Sequence, residues 1–229
     1  MPGKKGLIIA IDGPAGVGKS SVGNFVASEL GYGFINTGEM YRALAWKALQ
    51  HGVNLDDEKA VYNVALSTKW EFRAQGTPTI RTFIDGRLMG QELRLEEVSR
   101  ASSHIAKNAE VRGFMKQLQR DLGQGGAILM EGRDIGTVVF PDADLKIYLD
   151  ATPQKRADRR YKQLLEAKLP ADYDEILKGI ISRDANDSGR RLAPLKKAAD
   201  SVVVDTSELT LEDVSRRILK LVKEKCSTI

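Results

Sequence analysis

The sequence GPAGVGKS (residues 13–20) follows the apolar run LIIAI (residues 7–11) and precedes a segment whose apolar residues recur at helical spacing. It matches the pattern G-x-x-x-x-G-K-[ST] of nucleotide-binding loops, which lie between a strand and a helix. Glycines let backbone N–H groups face phosphate oxygens, and the N-terminus of the following helix adds a positive partial charge. This stretch therefore predicts a phosphate-binding loop after a buried strand.

The chemistry expected of this loop is the binding of ATP. Lys19 would reach the β and γ phosphates, and the Ser20 hydroxyl would hold a Mg²⁺ ion. A glycine-rich turn without a ligand is the alternative, but the lysine and the hydroxyl both stand where the pattern requires them. The residues predicted to bind ATP are Gly13, Pro14, Ala15, Gly16, Val17, Gly18, Lys19, Ser20 and Ser21.

Strand and helix patterns alternate on both sides of the loop. Short apolar runs predict further strands at residues 34–35, 127–130, 145–149 and 202–204. Helical spacing predicts helices at residues 39–51, 56–67, 96–107 and 111–122. Thr152 and Pro153 predict the start of another helix, and an apolar stripe over residues 211–222 predicts a closing amphipathic one. The alternation indicates an α/β fold with a parallel sheet covered by helices, in which ligands bind at the carboxyl ends of the strands.

Residues 69–94 interrupt this alternation. Trp70, Phe72 and Phe83 belong to short runs typical of strands, and Asp85-Gly86 is a dipeptide that favours a tight hairpin turn. We interpret the segment as a small antiparallel unit inserted into the α/β domain.

The composition fits a single globular domain spanning residues 1–229. A net charge of +4, with 42% hydrophobic and 29% charged residues, excludes a disordered, collagen-like or coiled-coil chain. The single cysteine, Cys226, excludes an internal disulfide framework, and no apolar stretch is as long as a membrane span. The opening MPGKKG lacks the features of a signal peptide, so we expect a cytoplasmic protein. The basic residues are too dispersed to favour nucleic-acid binding.

Three further segments complete the pattern. NTGEMYR (residues 36–42) and EGRDIGTVVFPDA (residues 131–143) each follow a predicted strand, and RDANDSGRRLAPL (residues 183–195) precedes the last one. Together with the phosphate-binding loop and the insertion, these segments closely resemble bacterial-type cytidylate kinases over essentially the whole chain.

The resemblance implies the P-loop nucleoside monophosphate kinase fold, with a five-stranded parallel sheet covered by helices on both faces. It also implies a small inserted β-containing CMP-binding lobe at residues 66–107 and a mobile lid at residues 152–198. The implied reaction is Mg-dependent transfer of the γ-phosphoryl group of ATP to CMP or dCMP, by a monomer that acts on small molecules.

Residue roles follow from the same resemblance. The CMP phosphate would be held by Thr37, Arg42, Arg133 and Arg190. The cytosine ring would be recognised by Ser103, Arg112 and Asp134, with Ser102 as the alternative to its neighbour. The ribose would contact Arg183 and Asp187. The family usually has Asp-Ser-Gly after the second strand, whereas this chain has Asn36-Thr37-Gly38, which keeps the hydroxyl and replaces the acid by an amide.

The catalytic groups predicted for this reaction are mainly cationic, because phosphoryl transfer depends on positioning and charge neutralisation. A phosphate acceptor is largely ionised at neutral pH and needs no general base, in keeping with only two histidines in the chain. The predicted catalytic residues are Lys19, Arg133, Arg190, Arg156 and Arg160. Arg156, Arg159 and Arg160 lie on a predicted helix that could close over the ATP phosphates, and the first and last of them share one face of it. Glu131 is either an ordinary strand-end acid or a carboxylate near the Mg²⁺ ion.

Two other functions remain open from the sequence. A related kinase could use UMP or another small phosphate acceptor. A P-loop switch or a nucleic-acid-binding protein is disfavoured by the absence of an N-K-x-D guanine-binding motif and by the dispersed charge.

Overall fold

A sheet of five parallel strands forms the centre of the computed structural model, which describes residues 6–227. Most of the MPGKKG segment therefore lies outside the described residues. The strands of the chain are β1 Ile8–Asp12, β2 Gly33–Asn36, β3 Trp70–Ala74, β4 Ile80–Ile84, β5 Arg87–Leu88, β6 Ile128–Gly132, β7 Leu145–Asp150 and β8 Val202–Asp205. The central sheet has the order β2-β6-β1-β7-β8, so the prediction of a five-stranded parallel α/β fold is confirmed.

Helices cover both faces of this sheet. They are α1 Lys19–Leu30, α2 Thr37–Gln50, α3 Glu58–Ser67, α4 Glu96–Ile105, α5 Ala109–Gly123, α6 Pro153–Glu166, α7 Tyr173–Ser188 and α8 Leu211–Cys226. On one face, Ile9 and Ile11 of β1 pack with residues of α1 and α8. On the other face, Ala10 packs with α2, α4 and α5. Burial on both sides explains why β1 is a continuous apolar run.

The predicted insertion is the second sheet, in which β3, β4 and β5 are antiparallel. Asp85 and Gly86 connect β4 to β5 with φ angles of 51° and 79°, the left-handed geometry of a tight hairpin turn. Trp70 of β3 stacks on Phe72 at 6.2 Å between ring centroids and also contacts Phe114 of α5. The insertion therefore packs on the main domain through its aromatic face.

The sequence did not predict two elements that lie near the carboxyl ends of the parallel strands. α7 is a largely exposed helix that packs on α6 and carries Arg183 and Asp187. A single π-helical turn, Ile135–Val139, follows β6. Thr152 caps α6 as predicted, since its side chain accepts a hydrogen bond from the Lys155 N–H (3.3 Å).

Cys226 is exposed and forms no disulfide. Between residues 6 and 227, the helices are all too short or too polar to cross a membrane.

Candidate active site

The predicted acceptor residues lie together at the carboxyl ends of β2 and β6. They line one cavity of about 230 Å³, called here the first cavity. Chain segments far apart in sequence contribute to it: the start of α2, the end of α4, α5, the loop after β6, and the end of α7. The members predicted from the sequence are Thr37, Arg42, Ser103, Arg112, Arg133, Asp134, Arg183, Asp187 and Arg190.

The phosphate-binding loop separates this cavity from another one. The second cavity has a volume of about 390 Å³ and is lined by the loop and by residues of α6, α8 and the segment after β8. Gly16, Lys19, Ser20 and Glu131 line both cavities. The two cavities therefore meet at the lysine and the serine of the loop.

Lys19 is folded back into its own loop. Its ammonium group donates to the carbonyl oxygens of Gly13 (2.8 Å) and Pro14 (2.7 Å), and only 7% of the residue is exposed. Burial lowers the pKa of Lys19 well below its usual value, and the nearby Arg133 lowers it further. Both of these hydrogen bonds go to neutral carbonyl oxygens, which favours the arrival of an anion.

The Ser20 hydroxyl and the Glu131 carboxylate lie together at this junction. The Ser20 hydroxyl donates to Oε1 of Glu131 (2.5 Å), and the Asn36 amide donates to the Ser20 oxygen (3.4 Å). Burial raises the pKa of Glu131, which is 3% exposed, while Lys19 acts in the opposite direction. Asn36 also caps α2, because its side-chain oxygen accepts from the Glu39 N–H (3.2 Å). The amide therefore has a structural role and touches the predicted metal ligand.

Asp187 binds two of the predicted phosphate-binding arginines. One carboxylate oxygen accepts from Nε of Arg133 (2.8 Å), and the other accepts from Arg190. Burial alone would raise the pKa of Asp187, but the two arginines hold it below its usual value. The ion pairs orient both guanidinium groups on the wall of the first cavity.

The positive charge of Arg183 is less well compensated than the charges of Arg133 and Arg190, which pair with Asp187. It donates to Ser99 at 3.4 Å, and its Nε finds no hydrogen-bond partner among residues 6–227. Burial lowers the pKa of Arg183 to about 10, and Arg133 adds to this effect. Burial also lowers the pKa of Arg42, which lines the same wall. This excess of buried positive charge suits a ligand that carries negative charge.

Arg112 and Asp134 form a further ion pair, and both residues line the first cavity. Arg112 also donates to the carbonyl oxygen of Ala106 (3.1 Å). Ser102 and Ser103 both line the cavity, and each donates to the carbonyl oxygen of Ser99, at 2.8 Å and 3.3 Å. The structure therefore brings both serines to the site.

A family profile described as cytidylate kinase matches residues 9–224. The chain belongs to the cytidylate kinase family. A cytidylate kinase of Thermosipho melanesiensis is 43% identical over 218 residues, covering 95% of this chain and 97% of that protein. A cytidylate kinase of Alkaliphilus oremlandii is 42% identical over 215 residues, covering 94% of this chain and 97% of that protein.

A solved structure with low sequence identity is similar to this chain in fold, and the similarity extends no further than the fold. An uncharacterized protein from Eubacterium ventriosum matches with a TM-score of 0.53 at 12% sequence identity, covering 96% of this chain and 99% of that chain.

The arginines of α6, predicted from the cytidylate kinase resemblance to act on ATP, have different environments. Arg156 is 2% exposed and bridges the phosphate-binding loop to α7: it donates to the carbonyl oxygens of Ala15 (3.1 Å) and Ala151 (3.1 Å) and pairs with Asp184. Arg160 is exposed and lines neither cavity. Arg159, which was predicted to lie on the same helix as these two, lines the second cavity and donates to Thr206.

Arg156→Ala is expected to lower the free energy of unfolding by about 3 kcal/mol, because it leaves Asp184 and two carbonyl groups without their cationic partner. Arg160→Ala, four residues along the same helix, is the matched control and should change stability by no more than about 0.5 kcal/mol. Urea unfolding of both variants measures the difference. Equal, small shifts would contradict the bridging role of Arg156.

Sequence reasoning missed several residues that line the second cavity beyond the phosphate-binding loop. Gln163, Thr206, Leu209 and Thr210 line it, although none lies in a motif that the sequence identifies. Gly13 and Pro14, predicted to bind ATP, line neither cavity and instead accept hydrogen bonds from Lys19.

Proposed function

We propose that the protein transfers the γ-phosphoryl group of ATP to CMP or dCMP, giving ADP and CDP or dCDP. The observation that carries this proposal is the meeting of the two cavities at Lys19, Ser20 and Glu131. A donor in one cavity and an acceptor in the other would present their phosphates to the same lysine. Holding both reactants in this way converts a bimolecular reaction into an effectively unimolecular one.

The acceptor in the first cavity is proposed to be a nucleoside monophosphate. Arg42, Arg133 and Arg190 would hold its phosphate, since a planar guanidinium binds phosphate oxygens bidentately. The attacking oxygen is already mostly ionised at neutral pH, because the second pKa of such a phosphate is about 6. The site therefore has to orient the acceptor and neutralise charge, and no side chain has to remove a proton.

Cytosine recognition is proposed for the end of the first cavity that holds Arg112 and Asp134. A cytosine ring offers an exocyclic amine as donor, and a carboxylate is an acceptor for it. Arg112 orients the Asp134 side chain through their ion pair. Ser102 or Ser103 would supply a further hydroxyl, and Arg183 and Asp187 would reach the ribose.

The second cavity is proposed to hold the rest of ATP. Arg159 and Gln163 of α6 and Thr206 after β8 lie beyond the phosphate-binding loop, where the nucleoside would extend from its phosphates. Thr206 is fixed against the loop, because its hydroxyl donates to the carbonyl oxygen of Val17 (3.3 Å).

Mg²⁺ is proposed to enter with ATP and to bind beside Ser20 and Glu131. Both side chains offer oxygen atoms, the ligands that Mg²⁺ prefers, and they lie within hydrogen-bond distance of each other. Within residues 6–227, no cluster of three or more acidic, His or Cys side chains could hold a metal ion. Phosphate oxygens and waters would therefore complete the shell. The ion would neutralise charge on the transferred phosphate.

Segments 66–107 and 152–198 are proposed as the acceptor lobe and the lid. The first contains β3–β5 and α4, whose serines line the first cavity, and the second contains α6 and α7, whose arginines reach both cavities. Closure of these segments would exclude water, which competes as acceptor. We propose a cytoplasmic monomer that acts on free nucleotides and has no nucleic-acid partner.

The test is ADP formation from Mg-ATP with CMP, dCMP, UMP, AMP or no acceptor in parallel. ADP formation that requires CMP or dCMP is the expected result. A preference for UMP would indicate a related kinase, and equal ADP release with and without every acceptor would contradict the proposal. Affinity for RNA that falls steeply with salt, without acceptor dependence, would favour the nucleic-acid alternative.

Asp134→Asn is expected to lower kcat/KM for CMP by about 10²-fold and to reduce the preference for CMP over UMP. The amide presents a donor where the cytosine amine needs an acceptor, and an unmatched polar group in a site costs selectivity of this order or more. Steady-state kinetics with both acceptors measures the ratio. Asp142→Asn, an exposed change in the loop before β7, is the control. Unchanged selectivity in Asp134→Asn would contradict the assigned base contact.

A further inference from the structure

Asp12 lies at the end of β1, directly before the phosphate-binding loop, yet it lines neither cavity. It pairs in register with Gly132, the last residue of β6. Its side chain is turned toward the segment after β6: Oδ1 accepts from the Ile135 N–H (2.8 Å), and Oδ2 accepts from the Gly136 N–H (2.7 Å). Both carboxylate oxygens are thus used by one short stretch of backbone.

These two N–H groups begin the π-helical turn Ile135–Val139. The first N–H groups of any helix have no partner within the helix and need an acceptor from elsewhere. Here the acceptor comes from a neighbouring strand, and a carboxylate also suits the positive end of the turn. Burial raises the pKa of Asp12 to about 6, so the carboxylate is mostly ionised at pH 7.5.

The packing around this contact leaves little freedom. A Cβ atom on Gly136 would lie 3.2 Å from the Lys146 side chain and 3.4 Å from Oδ2 of Asp12. The separation from Asp12 is an ordinary van der Waals contact, whereas the closer Lys146 side chain or the turn itself would have to shift by a few tenths of an ångström. Asp134 caps the start of the turn, and its carbonyl oxygen accepts from the Val138 N–H (2.9 Å).

Arg133 and Asp134 lie between two fixed points. On one side, β6 is held to β1 as far as Gly132. On the other, Asp12 holds the N–H groups of Ile135 and Gly136. The two residues between them line the first cavity, where they are proposed to bind the phosphate and the base of the acceptor.

We propose that Asp12 is a positioning residue for the acceptor nucleotide, which holds the π-helical turn so that Arg133 and Asp134 face the first cavity. The proposal rests on the proposed function, because it takes Arg133 and Asp134 as acceptor contacts. It predicts that loss of the Asp12 carboxylate weakens binding of the acceptor nucleotide far more than binding of ATP, although Asp12 is closer in sequence to the ATP-binding loop.

The first test is Asp12→Asn, which keeps the size of the side chain but replaces one acceptor oxygen by an amide donor. The KM for CMP should rise about tenfold to a hundredfold, since small misplacements of binding groups have effects of this size. The KM for ATP should change less than about twofold, and the preference for CMP over UMP should fall. A purely structural role would lower the amount of active enzyme without changing these ratios.

Asp144→Asn is the matched control. Asp144 also accepts a backbone N–H between neighbouring elements of the sheet, that of Ile8 (2.7 Å), but at the edge opposite the cavities. Its KM ratio and its base preference should remain those of the wild type, even if the melting temperature falls as much as in Asp12→Asn.

Gly136→Ala changes the residue whose N–H the Asp12 carboxylate accepts. It provides the test of the positioning role if Asp12→Asn does not fold. The added Cβ would lie 3.2 Å from the Lys146 side chain, so the turn should shift by a few tenths of an ångström and raise the KM for CMP selectively. Equal changes in the two KM values, or an unchanged base preference in the folded variants, would overturn the positioning role while CMP kinase activity in the wild type stands. Absence of CMP-dependent ADP formation in the wild type would overturn both proposals.

Discussion

Lys19→Ala is expected to lower the rate of CMP-dependent ADP formation about 10³-fold. Lys19 lies where the two cavities meet. Its ammonium group would contact the transferred phosphate and the phosphates on either side of it. Removal of one positioned charge-stabilising group typically costs 10²–10³-fold in kcat, and phosphoryl transfer depends on such groups more than most reactions. The measurement is steady-state turnover with saturating Mg-ATP and CMP.

Lys47→Ala is the control for loss of a buried lysine. Lys47 and Lys19 are both 7% exposed, but Lys47 lies in α2 and pairs with Asp85 (2.6 Å) at the surface of the insertion. We expect Lys47→Ala to lose stability and to keep its turnover per folded molecule. Turnover of Lys19→Ala within tenfold of the wild type would contradict the assignment of the loop.

Arg133→Ala is expected to lower kcat/KM for CMP about 10²–10³-fold, with the KM for ATP changed much less. Arg133 lines the first cavity, and its guanidinium is oriented by Asp187. Loss of this group removes a bidentate phosphate contact that strengthens as charge develops in the transition state. Asp187 would keep Arg190 as a partner, so the fold should tolerate the change.

Arg133→Lys separates charge from shape. A lysine keeps the positive charge but cannot reproduce the planar fork, so its kcat/KM should lie between those of the wild type and Arg133→Ala. Arg217→Ala, an exposed change on α8, is the surface control. An equal rise in the KM for ATP and for CMP in Arg133→Ala would contradict the assignment of Arg133 to the acceptor.

The parts of the fold that local chemistry determines could be predicted from the sequence. The apolar run of β1 and the glycine pattern after it predicted both the strand and the loop, and Asp85-Gly86 predicted the hairpin of the insertion. In each case neighbouring residues carry the cause: burial on both faces for the strand, and left-handed backbone geometry for the turn.

Contacts between distant residues could not be derived in this way. Asp187 binds Arg133 across 54 positions of the chain, and Arg156 reaches Ala15 across 141. Asp187 and Arg133 were both predicted as site residues only through the family resemblance. The resemblance gives the role of each residue but not the residue with which it pairs. The same limit explains why Arg156 was predicted as an ATP-contacting group and is seen bridging the loop and α7.

The two unpredicted elements differ in their local signals. α7 buries only Asp187 fully, but Asp172 caps its start by accepting from the Glu175 N–H (2.9 Å), a signal that the sequence analysis did not use. The π-helical turn contains the residues IGTVV, whose β-branched side chains favour a strand by propensity. Its conformation depends on Asp12, more than a hundred positions away: the hydrogen bond to Gly136 spans 124 positions. The conformation of the π-helical turn, beside the cavity proposed for the acceptor, therefore depends on tertiary contacts and not on its local sequence.

Phosphorus NMR of the purified protein with Mg-ATP and CMP tests the central proposal most directly. We expect the signals of ADP and of the β-phosphorus of CDP to grow together, while inorganic phosphate stays at the level of a sample without protein. Growth of inorganic phosphate with no CDP signal would contradict it, because the γ-phosphoryl group would then pass to water and not to the nucleotide in the first cavity.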